Sequence, residues 1–158
     1  MKACFMGLGY IGLPTAIITA GSGIQVIGVD VNPKVVEMTN RGIIHIVEPG
    51  LQELCSKVME FGKLKASDVP EESDVYLIVV PTPFKGNHEP DISYVEAATR
   101  MVAPFLRKGT FSSLNRLHLS GPPKRWQICS TLCVRNWKEK YISLIVRSAF
   151  YQAMSSTN

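Results

Sequence analysis

Residues 1–110 are predicted to form an α/β domain with a doubly wound parallel sheet. Two observations predict this fold class: short apolar segments alternate with amphipathic segments of helical length, and a glycine-rich turn directly follows the first apolar segment. Strands that are apolar on both faces are typical of parallel sheets covered by helices on both sides. The 158 residues leave room for about one such domain.

The first strand, helix and second strand are predicted at the start of the chain. Residues 2–6 are almost continuously apolar, which indicates a strand buried on both faces. A helix is expected over 10–20, because Pro14 falls in its first turn, where proline is tolerated. Glycines follow this helix, and residues 25–30 then predict the second strand.

Two helices are predicted before the next strand. Asn32 is typical of a helix N-cap and Pro33 of the first helical position, so a helix should begin there and end at Gly42. Between residues 51 and 59, apolar residues recur at the spacing of one helix face. That spacing predicts a third, amphipathic helix.

The rest of the sheet is predicted from two further apolar segments. A short strand is expected at 64–66, and residues 75–80 are apolar throughout, which predicts a central strand ending at Pro81. Ser93 and Glu96 form a capping box that opens the last helix. Helical crossovers between the strands predict a parallel sheet with strand order 3-2-1-4.

The glycine-rich turn fits the pattern G-x-G-x-x-G with Gly7, Gly9 and Gly12, between a strand and a helix. In this pattern the first glycine allows a tight turn, the second lets the backbone approach a pyrophosphate, and the third lets the helix pack closely. The free N–H groups at the helix start attract an anion. The turn therefore predicts a Rossmann-like dinucleotide site; a glycine-rich turn without a ligand is the alternative.

Asp30 ends the second predicted strand, 18 residues after Gly12. At that place a carboxylate can accept hydrogen bonds from the hydroxyls of an adenosine ribose. The next three residues include no arginine that could bind a 2′-phosphate. The sequence therefore predicts NAD, rather than NADP, as the cofactor.

The segment Pro81-Thr82-Pro83 follows the predicted central strand. Ligands of doubly wound sheets bind at the carboxyl ends of the strands. Because two prolines restrict this loop, the Thr82 hydroxyl is predicted to face the cofactor; a rigid turn with an exposed threonine is the alternative. His45 and His88 have no acid, base or thiol at a recognisable spacing, so no metal site is expected.

Membrane and secretory functions are not expected. No apolar run approaches the roughly 18–20 residues that span a bilayer, and the start is too short for a signal peptide. The expected location is cytoplasmic, where cysteines stay reduced. The free thiols are then Cys4, Cys55, Cys129 and Cys133.

The charge is unevenly distributed along the chain. Residues 1–109 carry 10 lysines and arginines against 12 acidic residues, whereas residues 110–158 carry 7 against one, Glu139. A basic segment with aromatic residues can bind nucleic acid. Here the charges are scattered and no nucleic-acid-binding motif accompanies them, so no nucleic-acid partner is expected.

Four segments carry a resemblance to a known family. They read Gly-Leu-Gly-Tyr-Ile-Gly-Leu-Pro-Thr-Ala at 7–16, Gly-Val-Asp-Val-Asn at 28–32, Asn-Arg-Gly-Ile-Ile-His-Ile-Val-Glu-Pro-Gly-Leu at 40–51 and Val-Pro-Thr-Pro-Phe-Lys-Gly-Asn-His-Glu-Pro-Asp at 80–91. Together they resemble the UDP-glucose/GDP-mannose dehydrogenase family over residues 1 to about 110. The third and fourth segments are far more specific than the glycine pattern.

This resemblance implies an activity and a set of contacts. Family members oxidise the C6 alcohol of a UDP-sugar to a carboxylate with two NAD, through a thiohemiacetal and a thioester on a cysteine, and act as homodimers. The implied NAD contacts are Tyr10, Ile11, Asp30 and Thr82. The family's Gly-Gly-His-Cys segment and its dimer-forming helices do not occur in this chain. No catalytic residue is therefore assigned, and an inactive NAD-binding fragment is the alternative to a dehydrogenase.

Residues 111–158 do not follow the family pattern. At this point the family continues with an apolar strand and the segment Glu-Ser-Thr-Ser-Pro-Val-Gly. When codons 114–121 of this chain are read one base out of frame, with suitable synonymous codons, they encode that segment. We therefore expect a one-base loss between codons 110 and 114, a basic tail without a settled fold, and an uncovered edge on the 75–80 strand. A genuine short protein with its own C-terminal segment is the alternative.

Overall fold

Four parallel strands form the centre of the domain. The structure is a computed structural model that describes residues 1–83, 91 and 93–106 with their side chains, and the backbone of 111–118, 127–133 and 143–145. The central strands are β1 (Lys2–Met6), β2 (Gln25–Val29), β3 (Leu64–Ser67) and β4 (Val75–Ile78), and they lie in the order β3-β2-β1-β4. The predicted parallel sheet and its strand order are confirmed.

Four helices connect or flank these strands. They are α1 (Gly12–Gly21), α2 (Pro33–Asn40), α3 (Leu51–Glu60) and α4 (Ser93–Val102), and a 3-10 turn at Ala103–Phe105 follows the last. The predicted start of α2 is correct, since Asn32 Oδ1 accepts a hydrogen bond from Lys34 N at 3.1 Å. Before α4, Asp91 Oδ1 accepts from Ser93 N at 2.9 Å, and the capping box of Ser93 and Glu96 stays a prediction.

Helices cover both faces of the sheet because successive strand residues point to opposite sides. One core cluster joins the α1 and α3 side of the sheet, and a second joins the α4 side. In β1, for example, Ala3 and Phe5 belong to the first cluster, whereas Cys4 and Met6 belong to the second. This two-sided burial explains why the strands read as continuous apolar runs.

The outer edge of β3 is covered by a side chain. Asn40, the last residue of α2, donates from Nδ2 to Ala66 O at 2.9 Å and accepts at Oδ1 from Ala66 N at 2.8 Å. A side-chain amide thus takes the place that the peptide group of a neighbouring strand would occupy. The backbone groups of Ala66 on that edge are satisfied without another strand.

On the other side, the sheet continues past residue 110. The strand β5 (Phe111–His118) pairs in parallel with β4, with Leu114 opposite Ile78, and β6 (Gln127–Cys133) and β7 (Ser143–Ile145) follow in antiparallel pairing. The expectation of an uncovered β4 edge is therefore wrong. The residues of β5 that pair with β4 are 111–114, directly after the region predicted to form the domain.

An ion-pair network links β1, β3 and the segment before β4 at the end of the sheet where β1 begins. Glu71, in the segment before β4, accepts from Lys2 Nζ and from Lys65 Nζ, both at 2.7 Å. Its backbone oxygen accepts from the Tyr76 hydroxyl at 3.0 Å, and the Asp74 carboxylate accepts from Lys2 N at 2.7 Å. The hydrogen bonds from Lys2 and Lys65 lower the pKa of Glu71 to about 2.

Acidification is expected to weaken this network. Because the folded-state pKa of Glu71 lies below its ordinary value of 4.5, its contribution to stability is present above about pH 4.5 and is lost as the pH falls towards 2. Glu71→Gln should remove that contribution and lower Tm at pH 7 by about 1–4 °C, since the ion pairs are partly exposed. Thermal unfolding from pH 7 to pH 2 checks this.

The matched control is Glu60→Gln, which alters an exposed glutamate at the end of α3. This variant should keep the pH dependence of the unaltered chain. An acid dependence of Tm that is identical in Glu71→Gln and in the unaltered chain would contradict the role of Glu71.

Candidate dinucleotide-binding site

The turn between β1 and α1 is shaped by close backbone packing at its first glycine. Gly7 has a φ of +104°, which residues with a side chain rarely adopt, and its N–H donates to Val29 O at 2.7 Å. A Cβ at this position would lie 2.5 Å from Val79 O. A side chain at Gly7 would therefore meet backbone that cannot move aside easily.

The other two glycines of the turn have different surroundings. A Cβ on Gly12 would collide with Gly7 O and lie 3.5 Å from Val79 Cβ, so the start of α1 packs directly on the turn and on the end of β4. Around Gly9, by contrast, nothing lies within 4 Å of an added Cβ, and the residue is exposed. The backbone at Gly9 is therefore open to a group approaching from outside.

The start of α1 supplies backbone N–H groups beside this open place. The helix begins at Gly12, two residues later than predicted, because the chain needs Gly9 to Ile11 to turn from the strand into the helix. Leu13 N donates to Gly9 O at 3.0 Å. The N–H groups of Tyr10, Ile11 and Gly12 precede that bond, at the positively polarised end of the helix.

Asp30 lies against the same turn. Its Oδ2 accepts from Leu8 N at 2.8 Å and its Oδ1 accepts from Asn32 N at 2.9 Å, while its own N–H donates to Ser67 O at 3.1 Å. The carboxylate is partly exposed and stands at the carboxyl end of β2. The fold thus brings together an open glycine turn, a helix start and an acidic side chain.

Sequence reasoning missed the two backbone hydrogen bonds of the Asp30 side chain. The bond from Asn32 N has a local signal, since aspartates commonly accept from the N–H group two residues later. The bond from Leu8 N spans 22 residues and has no such signal. Asp30 therefore holds the glycine turn in addition to the ribose-binding role that its position predicts.

Tyr10 and Ile11 lie at the surface of the turn. Tyr10 is 71% exposed and Ile11 41% exposed. The Tyr10 hydroxyl lies 3.5 Å from Glu48 Oε1, in the loop that precedes α3. Both side chains are therefore accessible beside the open backbone of Gly9.

Thr82 lies on the same edge of the sheet, in the segment that leaves β4. Val80, two residues earlier, lies 3.4 Å from the position of a Gly7 Cβ, so this segment runs beside the turn. Thr82 itself is partly buried. Within the described residues no hydrogen bond joins it to the turn, and its predicted orientation towards the cofactor stays a prediction.

Metal-ligating and thiol groups also lie among the described residues. Within them, no group of three or more His, Cys, Asp or Glu side chains could hold a metal ion. Burial raises the pKa of the Cys4 thiol to about 12, which keeps it uncharged, and His45 is exposed in a loop. His88, Cys129 and Cys133 lie outside the residues whose side chains are described. No described helix has the length and apolar character needed to cross a membrane.

The amino-acid sequence matches a known protein family over most of its length. The sequence profile of the NAD-binding domain of the UDP-glucose/GDP-mannose dehydrogenase family matches residues 1–114. The chain belongs to this family. Its fold class and the resemblance carried by its sequence segments are thereby confirmed, and the family's cofactor is NAD.

Curated relatives share the N-terminal part of the chain. UDP-N-acetyl-D-mannosamine dehydrogenase from Campylobacter jejuni is 56% identical over 109 residues, which cover 68% of this chain and 27% of that protein. The Escherichia coli K12 enzyme of the same name is 58% identical over 104 residues, which cover 66% and 25%. The chain thus spans about a quarter of the length of these relatives.

Solved structures show the same likeness. The UDP-N-acetyl-mannosamine dehydrogenase of Staphylococcus aureus has a TM-score of 0.69 and 46% identity, over 71% of this chain and 28% of that one. GDP-mannose dehydrogenase from Pseudomonas aeruginosa, solved as a ternary complex, has a TM-score of 0.65 and 31% identity, over 74% and 29%. Each likeness covers less than a third of the solved chain.

The two glycines with opposite surroundings provide a stability test. Gly12→Ala should lower the free energy of unfolding by about 1–3 kcal/mol, because its Cβ meets the Gly7 backbone. Gly9→Ala should change it by less than about 0.5 kcal/mol, because its Cβ meets open space. Urea unfolding followed by circular dichroism measures both, and equal losses in the two variants would contradict the close contact of Gly12 with the Gly7 backbone.

Proposed function

We propose that the Gly7–Gly12 turn and Asp30 form an NAD site. The observation that carries the proposal is the Asp30 carboxylate beside a glycine turn whose backbone is open at Gly9. In this proposal the pyrophosphate lies against Gly9 and the start of α1, where N–H groups and the helix dipole favour an anion. The hydroxyl groups of the adenosine ribose donate hydrogen bonds to the Asp30 carboxylate.

Three further residues are proposed to contact the cofactor. Tyr10 and Ile11 are supported by their exposure beside Gly9, and Thr82 by its place on the same edge of the sheet. When bound, NAD supplies the acceptor for a hydride from the carbon that is oxidised. The residues of this chain would bind and orient it, and none of them is proposed to act on the substrate.

The proposed reaction of the full-length protein is oxidation of UDP-N-acetyl-D-mannosamine to UDP-N-acetyl-D-mannosaminuronate, a precursor of surface polysaccharide. Relatives named for this substrate are 56–58% identical to this chain over its first two-thirds, which supports the proposal. A cytoplasmic location and a homodimeric full-length enzyme belong to the same proposal. By the family resemblance, the cysteine that traps the aldehyde lies in a Gly-Gly-His-Cys segment, which these 158 residues do not include.

We further propose that the 158-residue chain binds NAD without oxidising a UDP-sugar, and that residues 111–158 are read out of frame. Two observations support this. The alignments to relatives cover only 104–109 residues of this chain, and the charge balance changes abruptly near residue 110. A thiolate that holds the aldehyde for the second hydride transfer would have to come from outside this chain.

Asp30→Ala tests the cofactor assignment. Loss of the hydrogen bonds to ribose should weaken NAD binding about tenfold to a hundredfold. Affinity for NADP should fall much less, because the carboxylate also repels the 2′-phosphate. Isothermal titration calorimetry with both cofactors measures the two dissociation constants.

The control is Asp68→Ala, at an exposed aspartate just after β3, which should leave the two constants unchanged. An unaltered ratio in Asp30→Ala would contradict the assignment.

The activity of a frame-restored gene tests the second part of the proposal. Insertion of one base near codon 112 should return Glu-Ser-Thr-Ser in frame. If the downstream gene is intact, it should yield a product that forms NADH from NAD and UDP-N-acetyl-D-mannosamine, whereas the 158-residue chain should form none. Absorbance at the NADH band measures both products side by side. Activity in the 158-residue chain would contradict its proposed inactivity, and an inactive, soluble, full-length product would contradict the proposed substrate.

A further inference from the structure

The loop of residues 43–50, between α2 and α3, has no regular secondary structure, yet it is held at several points. Most of its residues are exposed, and Val47 is 95% exposed. Exposed loops of this length are ordinarily mobile unless side chains tie them down. This loop has such contacts, and they restrict its position.

The start of the loop is held by one side chain of α3. Gln52 Nε2 donates to Gly42 O at 2.6 Å, and Gln52 Oε1 accepts from Ile44 N at 3.2 Å. The same Nε2 lies 3.3 Å from Ser56 Oγ, whose hydroxyl donates to Gln52 O at 3.1 Å. One amide thus binds the backbone on both sides of Ile43 and fixes the direction in which the chain leaves α2.

The rest of the loop is directed towards the glycine turn. Ile46 is only 5% exposed and belongs to the same core cluster as Leu8, which lies in the turn, and Leu13, in the first turn of α1. Two residues later, Glu48 Oε1 faces the Tyr10 hydroxyl at 3.5 Å. The loop therefore joins Gln52 on α3 to Tyr10 in the turn.

Tyr10 is the residue of the turn that the loop contacts through Glu48. Its ring is large and 71% exposed, and it follows Gly9, whose backbone is open. The position of this ring therefore bears on the space beside Gly9, where the proposed cofactor lies. A partner for its hydroxyl limits the positions of the ring before a ligand arrives, which lowers the ordering cost of binding.

We propose that Gln52 is a positioning residue for the dinucleotide site: through the 43–50 loop and Glu48 it holds Tyr10 so that the backbone at Gly9 stays open. This inference rests on the proposed function, because the ligand is NAD. Gln52 itself does not touch the cofactor. Its effect passes through Tyr10.

The first test needs no ligand. Amide hydrogen exchange is measured on the full 158-residue chain and on Gln52→Ala. Exchange should accelerate about threefold or more in residues 43–50 and in residues 7–12, and stay unchanged in β2, which the loop does not contact through Gln52. Faster exchange in 43–50 alone, or in neither segment, would overturn the proposed link between the loop and the turn.

The second test measures NAD binding by calorimetry. Gln52→Ala and Tyr10→Phe should each raise the dissociation constant about threefold to fivefold, the loss of one modest hydrogen bond. The double variant should bind no more weakly than the weaker single variant, because both changes interrupt the same contact chain. Effects that multiply in the double variant would overturn the route through Tyr10.

The matched control is Gln25→Ala. Gln25 Nε2 donates to Gly62 O at 2.9 Å, so it also holds the carbonyl of a glycine that follows a helix, but it lies at the start of β2. This variant should bind NAD as the unaltered chain does, and an equal loss in Gln25→Ala would overturn a specific role for Gln52. Absence of NAD binding by the unaltered chain would contradict the proposed function and the NAD role of Gln52, while hydrogen exchange would still decide whether Gln52 fixes the turn.

Discussion

The close approach of the Gly7–Gly12 turn to the end of β4 is the constraint on which the site depends. The Gly7 backbone lies against Val79, and Gly12 lies against the Gly7 carbonyl, with no room for a side chain at either glycine. This packing sets where α1 begins and directs its free N–H groups towards the carboxyl edge of the sheet. Asp30 can reach the turn, and bind Leu8 N, only because the turn is held at this edge.

Local and periodic patterns predicted most of the fold. Asn32 and Pro33 mark the start of α2 through chemistry confined to adjacent residues, and apolar runs mark the strands. The predicted end of β4 at residue 80 is two residues too late, although Val79 and Val80 are apolar. The parallel neighbour β1 ends at Met6, opposite Ile78, and the chain then turns away at Gly7, so β4 loses that partner. Apolar character alone does not report where a neighbouring strand ends.

The features of the site that sequence reasoning missed are long-range side-chain contacts. Asp30 binds a backbone group 22 residues away, and Gln52 reaches back 10 residues to Gly42. The glycine pattern and the acidic strand end predicted which residues meet, because that meeting follows from the topology. The same patterns could not predict which hydrogen bonds hold those residues, since such bonds depend on rotamers set by the folded core. The pairing of β5 with β4 was missed because the family pattern was taken to end near residue 110, whereas the family match reaches residue 114 and residues 111–114 pair with β4.

The two edges of the central sheet differ in their openness to new strands. At β3, Asn40 already occupies both hydrogen-bonding groups of Ala66, so an incoming chain would first have to displace an amide that belongs to the same domain. Among the described residues, no side chain caps the backbone of β4 in this way. The strands β5, β6 and β7 are all added on that side. Asn40 therefore disfavours strand addition at Ala66, whereas the side of the sheet beyond β4 already accepts three further strands.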